Sequence, residues 1–306
     1  MKIIEKVSIS EWNNIITKCS EATFFATPEW AEIVNRSYGL KIATLLFIFE
    51  DGQEVLLPLM KIRGGRRYKL FRVYNYLSVP FHNYGGLFSA QPISKDKAEQ
   101  IFNYLKKTFT PSVIICPNPL SQGPCPEQYK TQGYFTHLLD LTGGFDQFWK
   151  QYEDRDQARK ARKANIQILM AKDLEDYKNY YEMYLDSARR WGLNNLQPWV
   201  LYKNLCLMSN DYMKLWLAKL DNQIIAGIIL GYFNQNVIYW GAAFYHKSQQ
   251  YRPNNLLHTE AIKDACEKGY KVYDFLPSGG NKGVEKFKES FGAKRIHFNA
   301  IEIKHK

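Results

Sequence analysis

Two stretches of the 306-residue chain decide its fold when laid side by side: "LLFIFEDGQEVLLPLM" (45–60) and "LWLAKLDNQIIAGIIL" (215–230). Each reads as an apolar strand, an Asp-Gly or Asp-Asn turn, a Gln and a second apolar strand. Asp51-Gly52 and Asp221-Asn222 suit the positive φ angles of tight hairpin turns. The neighbouring elements recur as well. A helical stretch rich in Trp or Tyr precedes each hairpin ("PEWAEIVNRSYG", 28–39, and "PWVLYKNLCLM", 198–208). Another strand and an amphipathic helix follow ("SKDKAEQIFNYLKKTF", 94–109, and "NNLLHTEAIKDACEKG", 254–269). Each helix leads into a short strand ending in Pro ("SVIICPNP", 112–119, and "KVYDFLPSG", 271–279), and a last strand closes each half ("YFTHLLDL", 134–141, and "RIHFNAIEI", 295–303). The chain is therefore expected to hold two related α/β (α+β) domains in tandem, divided at "TGGFDQFW" (142–149) into 1–145 and 146–306. This element order predicts a mixed, mostly antiparallel sheet flanked by helices in each domain.

Composition excludes several classes. The chain is 45% hydrophobic and 23% charged, ordinary globular proportions, with 21 Tyr, 18 Phe and 7 Trp. No apolar run is long enough to span a membrane, and the opening residues have no apolar leader core. Five cysteines at scattered spacings, without a C-x-x-C pair, argue against a disulfide framework or a zinc site. The six histidines form no H-x-x-x-H pair, so no metal is expected. A cytoplasmic, reduced setting follows as the expectation. The net charge of +11 favours acidic partners: phosphates, nucleic acid or an anionic membrane surface. Two basic clusters stand out, "KIRGGRRYKLFR" (61–72) and "RKARK" (159–163). On a helix Arg155, Arg159, Arg162 and Lys163 share one stripe, which reads either as a solvated face or as a track for a phosphate backbone.

In "NKGVEKFKESFG" (281–292), Val284, Phe287 and Phe291 form the buried stripe of a short helix, yet Lys288 occupies the fourth slot of that stripe. An ammonium there either snorkels outward on its methylene stem or serves chemistry. Around it, "YWGAAFYHKSQQYRPNNLLHTEAIKDACEKGYKVYDF" (239–275) and "GNKGVEKFKESFG" (280–292) resemble the FemAB family of aminoacyl-tRNA-dependent peptidyltransferases, built on a duplicated acetyltransferase fold called GNAT. "FFATPEW" (24–30), "LPL" (57–59) and "SVPFHNYGG" (78–86) agree more loosely. The resemblance implies two tandem GNAT-like domains, with the acyl-transfer site in the second.

It also implies roles. Lys288 would stabilise the oxyanion of acyl transfer, with Phe287 packed beside the donor. Tyr239 and Trp240 end the strand that lines the gap. Asp274 and Glu260 are the nearest carboxylates and compete for the part of general base. In "YRPNNLL" (251–257), Arg252 is a phosphate contact and Asn254 or Asn255 caps the helix. Pro253 removes an amide from a loop that otherwise wraps coenzyme A, which favours aminoacyl-tRNA over acyl-CoA as donor. Arg190, in "SARRWG" (187–192), is a second phosphate contact, and His82 lies on a loop that faces the cleft or simply solvent. There is no room for the helical arm of the longer peptidoglycan cross-bridge enzymes. "NNLQPWVLY" (194–202) offers Gln197 and Pro198 where relatives that bind muramyl peptides show an Arg. The expected activity is transfer of an aminoacyl or similar acyl group to an amine of a phosphate-bearing cell-envelope precursor, without a tightly bound cofactor. Two alternatives stay open: an acyl-CoA-dependent N-acyltransferase acting on a nucleotide sugar, and a non-catalytic duplicated fold that binds an acidic polymer. Peripheral contact with an anionic membrane is compatible with the charge.

Overall fold

The computed structural model describes residues 1–63, 74–80, 83–121, 124, 126–209 and 212–305. Most of the basic cluster at 61–72, and His82, lie outside them. The chain forms two compact units, Met1–Phe135 with His297–Lys306, and Thr136–Ile296.

The first unit runs β1 (Lys2–Ile4), α1 (Ile9–Ile16), α2 (Pro28–Tyr38), β2 (Lys41–Ile42), β3 (Leu45–Ile48), β4 (Glu54–Leu57), β5 (Met60–Arg63), β6 (Tyr74–Leu77), α3 (Lys95–Thr108) and β7 (Pro111–Ile115). Short polar side chains start its helices. Ser8 closes a capping box with Glu11, Thr27 caps α2 ahead of Pro28, and Ser94 caps α3. The expected hairpin is present as β3 and β4, paired from Leu45↔Leu57 to Ile48↔Glu54. Pro58 has no N–H to donate. Around it the chain leaves the β1-β3-β4 sheet and enters a second sheet, where β5 pairs with β2 and β6. There β6 runs parallel to β7 from Tyr74↔Pro111 to Leu77↔Ile114.

The second unit takes β8 (Lys130–Asp140) from Thr136 onward. It continues through α4 (Gly144–Gln151), α5 (Arg155–Lys163), β9 (Gln167–Met170), α6 (Leu174–Arg190), α7 (Trp199–Met208), β10 (Met213–Leu220), β11 (Gln223–Phe233), β12 (Asn236–Phe244), α8 (Pro253–Glu267), β13 (Val272–Asp274) and α9 (Lys282–Ser290). Its strand order is β8-β13-β12-β11-β10-β9, antiparallel except for the β12–β13 pair. The second hairpin turns as expected, with Asp221 at φ 46° and Asn222 at φ 64°. In the first hairpin only Gly52 takes positive φ (81°), and a Phe49 N–H bond to the Gln53 carbonyl closes a longer turn.

The units are not the contiguous 1–145 and 146–306. Residues 138–140 of β8 pair with β13 in the second unit, while residues 301–304 of β14 (Lys294–Lys304) pair with β7 in the first. The last strand of each sequence half therefore pairs in the unit built mainly from the other half. β8 is buried at each of residues 136–139 and β14 at 298, 300, 301 and 303, and neither pattern says which strand it pairs with. Among the described residues, no helix is long and apolar enough to cross a membrane, and no His, Cys, Asp and Glu side chains cluster as metal ligands.

In the second unit β11 is buried almost throughout. At its centre Gly227 lets α6 approach the sheet: a Cβ there would lie 2.8 Å from Tyr180 Cδ2 and 3.2 Å from the Trp216 carbonyl oxygen. Gly227→Ala is expected to destabilise the protein by roughly 1–3 kcal/mol, as overpacked cores do. A thermal melt followed by circular dichroism checks this, and an unchanged midpoint would show that the sheet and α6 yield freely.

Candidate active site

Strands β12 and β13 keep parallel register for only three pairs, Asn236↔Val272 to Ile238↔Asp274. Beyond that point each strand has its own reason to leave. On β12 the register against β11 skips Trp240, since Leu230 faces Tyr239 and Ile229 faces Gly241; such a bulge bends a strand. On β13, Asp274 Oδ1 accepts the Leu276 N–H at 2.7 Å and the Thr136 hydroxyl at 2.6 Å. Leu276 then takes φ +57°, a conformation that residues other than glycine seldom adopt. Pairing between the two strands stops there. In the first unit the corresponding pair, β6 and β7, stays bonded further, since beyond Leu77 the Ser78 and Gly85 N–H groups donate to the Ile114 and Cys116 carbonyls.

Helix α9 aims a cation at this point. Asn281 caps it by accepting from the N–H groups of Gly283 and Val284. Contrary to the expected stripe, the first turn is exposed and Val284 faces solvent, while Lys288, Ser290 and Phe291 are buried. Lys288 is 2% exposed, and its Nζ donates to the Leu276 carbonyl at 2.6 Å. The left-handed turn at Leu276 thus accompanies a carbonyl that meets the ammonium. Burial pulls the Lys288 pKa down to about 8, against the opposing pull of the Asp274 and Glu285 carboxylates. The amine is still mainly charged at neutral pH. Two of its three N–H donors remain beyond the Leu276 bond.

His258 on α8, passed over in the sequence, is fully buried beside this cation. Its Nδ1 lies 2.8 Å from the Tyr273 hydroxyl, and its buried Nε2 has no hydrogen-bond partner. The rings of Tyr239, Phe275, Phe287 and Phe291 surround it at centroid distances of 4.5 to 5.5 Å. Burial, and then the Lys288 charge, push its pKa down to about 3, so the imidazole is neutral. Helical spacing was the available signal, because His258, Ala261, Ile262 and Ala265 form one buried face.

The structure brings Lys288, Asp274, Phe287 and Tyr239 together and places the other candidates elsewhere. Glu260 is two residues past His258, about 200° around the helix. It accepts from Arg162 at 2.6 Å and lines an open groove of about 360 Å³ with Trp216. Trp240, the bulged residue, packs on Tyr202. Asn255 caps nothing: α8 begins at Pro253, and the Asn255 side chain donates to the Tyr152 hydroxyl at 2.9 Å. Asn254 likewise makes no cap, and its Oδ1 is buried without a partner. Arg252 is exposed and precedes α8 in a left-handed conformation. Arg190 is bound to Asp186, Ser187 and the Phe244 carbonyl, so it ties α6 to the end of β12. The arginine stripe is likewise partnered: Arg155 donates to the Lys150 carbonyl, Arg159 to Asp156, and Arg159 and Arg162 both lie over the Trp149 ring. Lys163 is exposed.

The neutral state of His258 has a measurable consequence. Unfolded, the side chain takes up a proton below about pH 6.5; folded, it resists until about 3. The unfolded state therefore binds more protons across this window, and stability is lost as pH falls through it. Between pH 7 and 5 the protein should lose roughly 2 kcal/mol more than His258→Phe does, measured by urea unfolding at both pH values. Equal losses would show that His258 is not held neutral.

Residues 149–289, from α4 into α9, match the family model described as an acetyltransferase (GNAT) domain. No curated protein matches the chain in sequence. Among solved structures, FemX superposes with a TM-score of 0.76 at 13% identity, over 99% of this chain and 97% of that one. The C-terminal domain of an Agrobacterium fabrum protein classed as a lysylphosphatidylglycerol synthetase gives 0.56 at 13% identity, over 97% and 92%. A tandem GNAT protein from the clavulanic acid biosynthesis pathway gives 0.56 at 10% identity, over 99% and 98%. At these identities the likeness to solved structures is one of fold.

Proposed function

We propose that this chain, a FemAB-like member of the GNAT superfamily, transfers an aminoacyl or similar acyl group to an amine on a phosphate-bearing cell-envelope precursor. The observation that carries this reading is the ammonium of Lys288, withdrawn from water where β12 and β13 stop pairing. When an amine attacks an acyl ester, a C–N bond forms and the carbonyl oxygen becomes an anion. As the C–O bond breaks, the departing hydroxyl takes up the proton that the amine gives up. A preplaced cation in a dry site lowers that barrier by several kcal/mol. Asp274 holds Lys288 in its charged form, and Tyr239 and Phe287 exclude water beside it.

The start of α8 supports an aminoacyl-tRNA donor. Pro253 has no N–H, and the Asn255 N–H already donates to the Arg252 carbonyl, so the first turn offers few amides to a pyrophosphate. Exposed Lys160 and Lys163 on α5 are then available to a nucleic acid, while the neighbouring arginines support them. The match to an acetyltransferase family model favours a second reading, an acyl-CoA-dependent N-acyltransferase. Calorimetric titration with acetyl-CoA separates the two: saturable binding supports the second reading, and none supports the first.

Lys288→Met should lower kcat by roughly 10²–10³, the usual cost of losing one oxyanion donor. Stability should not fall with it. The depressed Lys288 pKa corresponds to about 3 kcal/mol of unfavourable burial below pH 8, partly offset by about 1–2 kcal/mol for leaving the Leu276 carbonyl unpaired. The variant should melt at or above the parent temperature. Turnover of the parent protein should decline as pH rises past about 8, where Lys288 loses its charge. Turnover of Lys288→Met within twofold of the parent, under saturating donor and acceptor, would end the proposed role.

A further inference from the structure

We propose that Arg295, at the start of β14, is a positioning residue for Lys288: by holding the Glu285 and Glu289 carboxylates it keeps Glu285 from drawing the ammonium away from the Leu276 carbonyl. This role rests on Lys288 being the cation that meets the acyl group.

Glu285 and Glu289 lie one turn apart on α9 and share a face. One nitrogen of Arg295, Nη2, donates to both, at 3.1 Å to Glu285 Oε2 and 2.8 Å to Glu289 Oε1. Glu289 Oε1 also lies 3.3 Å from Nε2 of His137, a fully buried residue of β8. Helix α9 is thus tied to β14 on one side and to β8 on the other, on the face next to Lys288.

These bonds do little for stability. The Arg295 and Glu289 side chains are each 42% exposed, and ion pairs so open to water contribute little. Their effect falls on Lys288 instead. A carboxylate three residues before a lysine on a helix is within reach of its ammonium. Glu285 stands in that position and is mostly buried, at 14% exposure. Its charge already acts on the Lys288 amine. Yet Lys288 Nζ donates to the Leu276 carbonyl, while Glu285 is taken by Arg295. Two cations compete for one carboxylate, and the one from β14 holds it.

The other ionisable groups around Lys288 enter no such competition. Asp274 on β13 already accepts from Thr136 and from the Leu276 N–H. Burial holds His258 on α8 and His137 on β8 below the ordinary histidine range, and the Lys288 charge pushes both the same way, so both are neutral at pH 7. Glu285 is therefore the carboxylate whose partner decides where the ammonium sits.

The test is titration of the Lys288 amine, by nuclear magnetic resonance of 13C at lysine Cε, in Arg295→Gln, in Glu285→Gln and in the double variant. Arg295→Gln frees Glu285 to pair with Lys288, and the midpoint should rise by roughly half to one pH unit. The thermal melt should barely move, since the lost pairs are half exposed. With Glu285→Gln already present, the same Arg295 substitution should leave the midpoint where Glu285→Gln alone puts it. An unchanged midpoint in Arg295→Gln would overturn the proposal. So would equal rises with and without Glu285, which would report only the loss of a nearby positive charge. Neither readout involves turnover. Parental turnover in Lys288→Met would end the oxyanion role and leave the competition for Glu285 standing, whereas an unmoved midpoint removes Arg295 and leaves Lys288 in its role.

Discussion

A buried ammonium bonded to one backbone carbonyl organises the second unit. Lys288 reaches the Leu276 carbonyl, and that carbonyl is met where β13 has just ended in a left-handed residue. Asp274 fixes the turn by accepting the Leu276 N–H, and its charge opposes the deprotonation of Lys288. The same few atoms therefore end the strand, stop its pairing with β12 and keep a cation where water is scarce. Removing a charge from water costs several kcal/mol unless it is compensated, and the compensation here is partial, as a pKa near 8 records. A protein selected for stability alone would place Met or Leu at 288. The uncompensated part of that cost is what makes Lys288 a candidate for function.

The aromatic surround belongs to the same design. His258 sits neutral among Tyr239, Phe275, Phe287 and Phe291, so the cation has no competing positive charge on the α8 side. The first unit repeats the parallel pair as β6 and β7 but continues to bond beyond Leu77 through Ser78 and Gly85. In the second unit the corresponding pair stops at Asp274, beside the buried Lys288.

Much of this was legible in the residues. The Asp-Gly and Asp-Asn turns marked both hairpins, the repeated order of elements marked two related units, and Lys288 stood out as a charge in an apolar slot. Other features were not legible, for reasons that differ. The exchange of closing strands was hidden because neither the β8 nor the β14 pattern says which strand it pairs with. Glu260 looked close to the site in sequence, but helical phase turns it toward Arg162. Asn255 resembled a cap and proved to be a buried partner of Tyr152, because the helix begins at Pro253, before the residue that Asn255 would need to cap. The arginine stripe was correct in phase, yet nothing in its spacing announced that Trp149 and Glu260 would occupy Arg159 and Arg162. His258 was missed because a lone histidine in an apolar face attracts no motif, although its spacing with Ala261, Ile262 and Ala265 placed it inside.

The most direct measurement of the central claim is the titration of the Lys288 amine itself. Nuclear magnetic resonance of the protein labelled with 13C at lysine Cε, with Lys288→Met to assign the signal, follows that one group through its ionisation. A midpoint near 8 is the expected result, since burial draws the amine down while Asp274 and Glu285 resist. A midpoint near 10.5, the ordinary lysine value, would mean that the ammonium stands in water, and the account of the site would be wrong.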